Sequence, residues 1–187
     1  MPTPRGLPPL APEDHVCERC GLDYSTVIVA EAVDTVRGLP ERYRAAVSDV
    51  PVAERSTRPG PDVWSVAEYV CHVRDVYVAY TIRMYRTRTE HNPAVEPLFN
   101  ELRAARFAYA GRDLEPVLDE LSYDVAGWST EVARTRADGW DRTCTRLPHE
   151  QRTARWLVRQ ALHEGLHHLL DVEEIALRIR KQSPQTS

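Results

Sequence analysis

Apolar residues recur at three- and four-residue intervals through four long stretches of this chain, and that spacing confines it to packed helices. From Ser25 to Arg37 the periodic positions are Val27, Ile28, Ala30, Val33 and Val36. Gly38-Leu39-Pro40 interrupts, and a shorter helix resumes over Glu41 to Ser48 with Pro40 near its first turn. The second long helix opens at Ser65, where Glu68 three residues on completes a capping box, and it runs to Arg88. Asp113 is the N-cap of a third, reaching Arg136 through Leu114, Val117, Leu118, Leu121, Val125 and Trp128. The fourth, from Arg152 to Lys181, carries Trp156, Leu157, Leu162, Leu166, Leu170, Ile175 and Ile179. A shorter helical piece falls around Leu98 to Ala110, while Pro51 to Pro61 and Gly139 to Glu150 read as connections. No alternating strand pattern persists. The expected fold is all-α, a four-helix bundle, although periodicity does not say how the helices are ordered around it.

At 187 residues the chain is long enough for one domain with its own core. A net charge of −4 argues against a whole-chain grip on nucleic acid. No apolar run approaches the ~18 residues of a membrane span, and Met1 to Pro12 lacks the apolar middle of a secretion signal. A cytoplasmic location is therefore expected, with no membrane partner. Three segments follow: residues 1–23, a Pro-rich arm (loose over residues 1–14) and a Cys-x-x-Cys knot; residues 24–182, the bundle; and residues 183–187, a disordered tail. Four cysteines (Cys17, Cys20, Cys71 and Cys144) are too few and too spread for a disulfide scaffold, so they read as free thiols or metal ligands.

Three histidines, His163, His167 and His168, crowd the fourth helix. His163 and His167 are one turn apart on one face, close enough to reach a common ion. His72 lies in the middle of the second helix and is positioned to add a third nitrogen in a bundle. Taken singly, His72 is a hydrogen-bonded core or surface residue; its pairing with the fourth helix gives it a metal role. Three histidines with one open position make a catalytic divalent site. His168 is rotated about 100° from His167 and reads as a packing or solvent-facing residue.

A second candidate lies at the N-terminus. His15-x-Cys17-x-x-Cys20-Gly21 is half of a closed zinc site, which Cys144 or His149 could complete; two reduced cysteines in a turn fit the spacing almost as well. The run His163-Glu164-Gly165-Leu166-His167 also spells the H-E-x-x-H of zinc proteases. The longer form of that motif requires Gly and His where this chain has Leu170 and Glu173, so protease activity is disfavoured. The tryptophans and the tyrosines of the second helix read first as core.

The segments Trp64-Ser65-Val66-Ala67-Glu68-Tyr69-Val70-Cys71-His72-Val73-Arg74-Asp75 and His163-Glu164-Gly165-Leu166-His167-His168-Leu169-Leu170-Asp171-Val172 together resemble the DinB/YfiT-like superfamily, which includes mycothiol-dependent enzymes. The resemblance covers Tyr24 to Lys181. It implies a four-helix bundle holding a divalent ion, Zn²⁺ or Ni²⁺, on His72, His163 and His167, and a homodimer.

The implied reaction is a transfer in which the ion activates a small thiol, mycothiol above all, against a small electrophilic metabolite. Two alternatives accompany it: a non-enzymatic or vestigial metal-binding dimer, and another metal-assisted hydrolysis or isomerisation. Glu68, Asp75 and Asp171 are the carboxylates placed to orient an imidazole, and each is equally a helix-surface charge. Arg74, Arg83 and Arg159 are candidate contacts for a polar thiol.

Overall fold

The computed structural model describes residues 8–147 and 150–182. The expectations for the first seven residues, for His149 and for the 183–187 tail lie outside them. Six α-helices carry the described chain: α1 (Val29–Arg37), α2 (Leu39–Ser48), α3 (Val66–Thr89), α4 (Asn100–Arg106), α5 (Leu114–Ala133) and α6 (Ala154–Gln182). The starts of α3 and α5 are fixed as the sequence predicts, whereas the first and last long helices start at Val29 and Ala154 rather than at Ser25 and Arg152. Ser65 Oγ accepts from Glu68 N at 3.3 Å and the Glu68 carboxylate accepts from Ser65 N at 2.8 Å, which satisfies donors that a bare helix end leaves open. Asp113 accepts from Glu115 N at 3.2 Å and opens α5.

Gly38 closes α1 and opens α2, so the two short helices make one bent rod with Pro40 in the first turn of its second half. That rod packs on α5 and α6, and α3 packs on the same two helices. The rod and α3 thus face each other across the bundle, as do α5 and α6. Two pairs of rods consecutive in sequence, the α1–α2 rod with α3 and α5 with α6, are therefore diagonal, while α3 and α5 are adjacent, an arrangement that helical spacing could not reveal. Tyr43, Tyr77, Trp128, Trp156, Leu118, Leu121, Leu157 and Leu169 fill the shared interior.

The connection expected over Gly139 to Glu150 differs from the reading. It contains β1 (Thr143–Thr145), paired antiparallel with β2 (Gln151–Thr153) just before α6. Strands of three residues are too short to show a period of two, which is why the pattern hid them. The N-terminal segment is also less loose than its prolines suggested, at least over the described residues. The Ala11 carbonyl accepts from Arg152 Nε at 2.7 Å, and Glu13 accepts from Thr153 N at 2.8 Å. This pins residues 10–13 to the root of α6. Among the described residues no helix is long and apolar enough to cross a membrane.

Candidate metal centre

The residues of α6 sort into two sets offset by one position. His72 of α3 meets Glu164 and His168, whose donor atoms all lie within 4.8 Å of one another and of the His72 donor. Glu164 Oε2 stands 3.3 Å from His72 Nε2 and 3.2 Å from His168 Nε2. Glu164 and His168 are one turn apart on a single face, as two ligands to one ion must be. Asp171, a further turn along, approaches His168 Nδ1 at 2.8 Å and so turns Nε2 toward Glu164.

The electrostatics keep the carboxylate of this cluster ionised. Burial alone would push Glu164 up, but hydrogen bonds and charge from His168 and His72 hold its carboxyl well below the usual range. Burial would likewise push His168 down; Asp171 and Glu164 outweigh it and raise the imidazole to about 9. His72, only 3% exposed, is lowered by burial against the pull of Glu164. Trp64 stacks edge-on to His72 at 5.3 Å, and Tyr69 lies 5.3 Å from the His168 ring. These two aromatic rings form a wall beside the three donors.

His163 and His167 go elsewhere. Their donor atoms cluster with those of Cys17 and Cys20, and Cys17 Sγ is 3.5 Å from His167 Nδ1. The expected set of His72, His163 and His167 is therefore corrected: the structure does not bring those three together. The reason is the rotation of about 100° between successive helix positions. It aims positions 163 and 167 at the N-terminal hairpin and positions 164 and 168 at α3. His168, read as a packing residue, is a member of the His72 set.

The H-E-x-x-H reading finds no support in the partners these residues meet: Glu164 is engaged by His72 and His168, while His163 and His167 cluster with Cys17 and Cys20. The sequence did carry the signal, since Glu164-x-x-x-His168 has the same spacing as His163-x-x-x-His167, but side-chain chemistry alone favoured the two histidines.

Three carboxylates were considered as orienting groups, and the structure separates them. Asp171 does hold an imidazole, though His168 rather than His167. Glu68 is occupied by the helix cap and by Arg58, whose Nε approaches at 2.9 Å. Asp75 is held by Arg74, Arg103 and Tyr109. Arg74 pairs with Asp75 and Glu120, Arg83 donates to the Glu96 carbonyl, and Arg159 approaches Glu13, so none of the three touches the His72 set in this structure. His15 also departs from expectation. Its ring packs on Tyr24 and His163, at 5.3 and 5.4 Å, outside the sulfur-bearing set. Cys144 is buried in β1, its thiol hydrogen-bonded to Thr87.

A four-helix core of diagonal connectivity, carrying a His–Glu–His cluster between two of its rods, defines a class of helix-bundle proteins with the donor set of a divalent-ion site. Within that class this chain belongs to the DinB superfamily, whose family description matches residues 36–172. A "Putative metal-dependent hydrolase" of Geobacillus thermodenitrificans (strain NG80-2) is 29% identical over 155 residues, covering 82% of this chain and 85% of that protein.

Among solved structures, Bacillus subtilis YfiT superposes with a TM-score of 0.78 at 16% identity, over 92% of this chain and 94% of its own. YfiT is described as "a probable metal-dependent hydrolase with an unusual four-helix bundle topology". A mycothiol-dependent maleylpyruvate isomerase superposes with a TM-score of 0.64 at 18% identity, over 79% of this chain. This chain spans 62% of that longer enzyme. At these identities the two structures speak to the fold.

Proposed function

We propose that this chain is a divalent-metal-dependent enzyme whose ion is held by His72, Glu164 and His168, and whose co-substrate is a small thiol of the mycothiol type. The observation that carries the metal site is the convergence of two imidazole nitrogens on one carboxylate oxygen at 3.3 and 3.2 Å. Donors held by one ion at bond lengths of about 2.0–2.2 Å sit roughly 3 Å apart, which this spacing matches. Zn²⁺ and Ni²⁺ both suit two imidazoles and a carboxylate, and so do Co²⁺ and Fe²⁺.

A divalent ion bound there would lower the pKa of a coordinated thiol or water, making an anionic nucleophile available near neutral pH. The chain's own residues do the rest. Glu164 brings the negative charge that a dication needs, and Asp171 fixes which nitrogen of His168 faces the site. Trp64 and Tyr69 present apolar surface against which a small electrophile can be held away from bulk water. The likeness to the mycothiol-dependent isomerase supports a thiol as nucleophile. A second reading, with water as nucleophile and hydrolysis as outcome, draws support from the Geobacillus relative and from YfiT. The homodimer has one supporting feature, the exposed residues Val78, Ile82 and Tyr85 along α3, and sedimentation would test it.

The experiment is a panel of small electrophiles and esters, offered to the ion-loaded protein with and without mycothiol or a simpler thiol. Thiol-dependent consumption that disappears in His168→Ala supports the proposal. Turnover without thiol moves the assignment to a hydrolase. An ion-replete protein inert under both conditions leaves only the metal-binding bundle.

A further inference from the structure

The second cluster has the features of a closed metal site and stands independently of the reading above. Cys17, Cys20, His163 and His167 place four donor atoms within 4.8 Å of one another, with Cys17 Sγ and His167 Nδ1 3.5 Å apart. A tetrahedral zinc ion with Zn–S of about 2.3 Å and Zn–N of about 2.0–2.1 Å separates its ligands by roughly 3.3–3.8 Å. The cluster therefore needs only a small contraction to close on an ion.

The hairpin that carries the thiols is shaped for the task. Cys17 N donates to the Leu22 carbonyl at 2.9 Å and Gly21 N to the Cys17 carbonyl at 2.8 Å, folding both sulfurs to one side. Gly21 has φ +73°, a left-handed conformation that a residue with a Cβ adopts only under strain, so the glycine after the second cysteine is required by the turn.

The sharpest evidence is a nitrogen with nothing to bind. His163 Nε2 is buried and has no hydrogen-bond partner among the described residues. Its tautomer follows from the neighbours. Gln160 Nε2 donates to Glu164 Oε1 at 2.7 Å, so the amide oxygen of Gln160 faces Tyr24. Tyr24 donates its single proton to that oxygen at 2.7 Å. The tyrosine oxygen is then an acceptor toward His163 Nδ1 at 3.0 Å, and the His163 proton must be on Nδ1. Nε2 is left as a bare lone pair, the form in which imidazole binds metal.

We propose that Cys17, Cys20, His163 and His167 bind a structural zinc ion that clamps the N-terminal hairpin to α6. Four protein donors complete the tetrahedron, which distinguishes this site from the three-donor set one residue away. Two thiolates and two neutral imidazoles favour zinc among common divalent ions. Thiol protons leave to solvent as the ion binds.

The test is metal content of protein purified without chelators, joined to absorption of the cobalt-substituted form. The wild type is expected to hold about two ions per chain, and Cys17→Ser/Cys20→Ser about one. His72→Ala/His168→Ala should also hold about one, and its cobalt form should keep the thiolate-to-cobalt charge-transfer bands. That variant retains both cysteines, so it decides the question even where the serine variant does not fold. Absence of thiolate bands in both the wild type and the histidine variant would overturn the proposal. So would a Cys17–Cys20 disulfide in protein kept under reducing conditions. A wild type that shows the thiolate bands but holds only that one ion would support this site and count against the His72 centre; a wild type that holds one ion without those bands would overturn this site and leave the His72 centre standing.

Discussion

Asp171 governs His168 from behind, accepting from Nδ1 while also pairing with Arg19 at 2.6 Å. Removing its charge in Asp171→Asn should weaken ion binding at the His72 centre by about 10–100-fold, measured by competition with a chromophoric chelator. Arg19→Gln, which removes only the outer partner, should change that affinity much less. The proton on His168 gives a second handle. Because the imidazole is raised to about 9 in the ion-free protein, an incoming ion must expel a proton at neutral pH. Apparent affinity should climb by about tenfold per pH unit between pH 6 and 8, the ion gaining as the competing proton is lost. A flat profile would mean that His168 is not a ligand. At this scale the chain also joins its two centres through the contacts from His163 to Tyr24, Gln160 and Glu164, so a change of charge in one is felt at the other.

The helix α6 presents a third face, at Gly165, to Leu39 and Tyr77. A Cβ at Gly165 would stand 2.5 Å from Tyr77 Oη and close on Leu39, and the Gly165 carbonyl accepts from Tyr43 at 2.8 Å. Gly165→Ala should therefore lower stability by about 1–3 kcal/mol despite alanine's better helix propensity, because the packed rod and α3 leave no room. Gly127→Ala, on the exposed side of α5 with nothing near its Cβ, should instead raise stability by about 0.5–1 kcal/mol. Denaturant midpoints of the two variants test both signs.

The starts of α3 and α5 were legible because capping chemistry is local, and so were their inward faces, whereas Ile28 and Ala30, read on the apolar face of the first helix, are exposed. The partners of the α6 histidines were not. A local pattern reports that positions four apart share a face, but which neighbour fills that face depends on the diagonal packing of the rods. His168 was misread because the adjacent pair His163 and His167 satisfied the same local rule with two imidazoles. Glu164 was missed as a neighbour of His72 for the same reason.

Across the whole molecule, the N-terminal hairpin and the last helix are far apart in sequence and meet at one cluster, so an ion there links the ends of the fold. A species that binds only the folded chain stabilises it by mass action, about 2.7 kcal/mol at a hundred times its dissociation constant. Chelator should lower the Tm of the wild type, zinc should restore it, and the restored increment should shrink in Cys17→Ser/Cys20→Ser. Calorimetry with stepwise zinc addition measures this directly. The offset of one residue between the two ligand sets also bears on how such a chain can diverge. Inserting or deleting a single amino acid in α6 ahead of these residues would swing every donor by about 100°, carrying one pair onto the other's face and the second pair off both. The reading frame of this final rod is thus locked twice over.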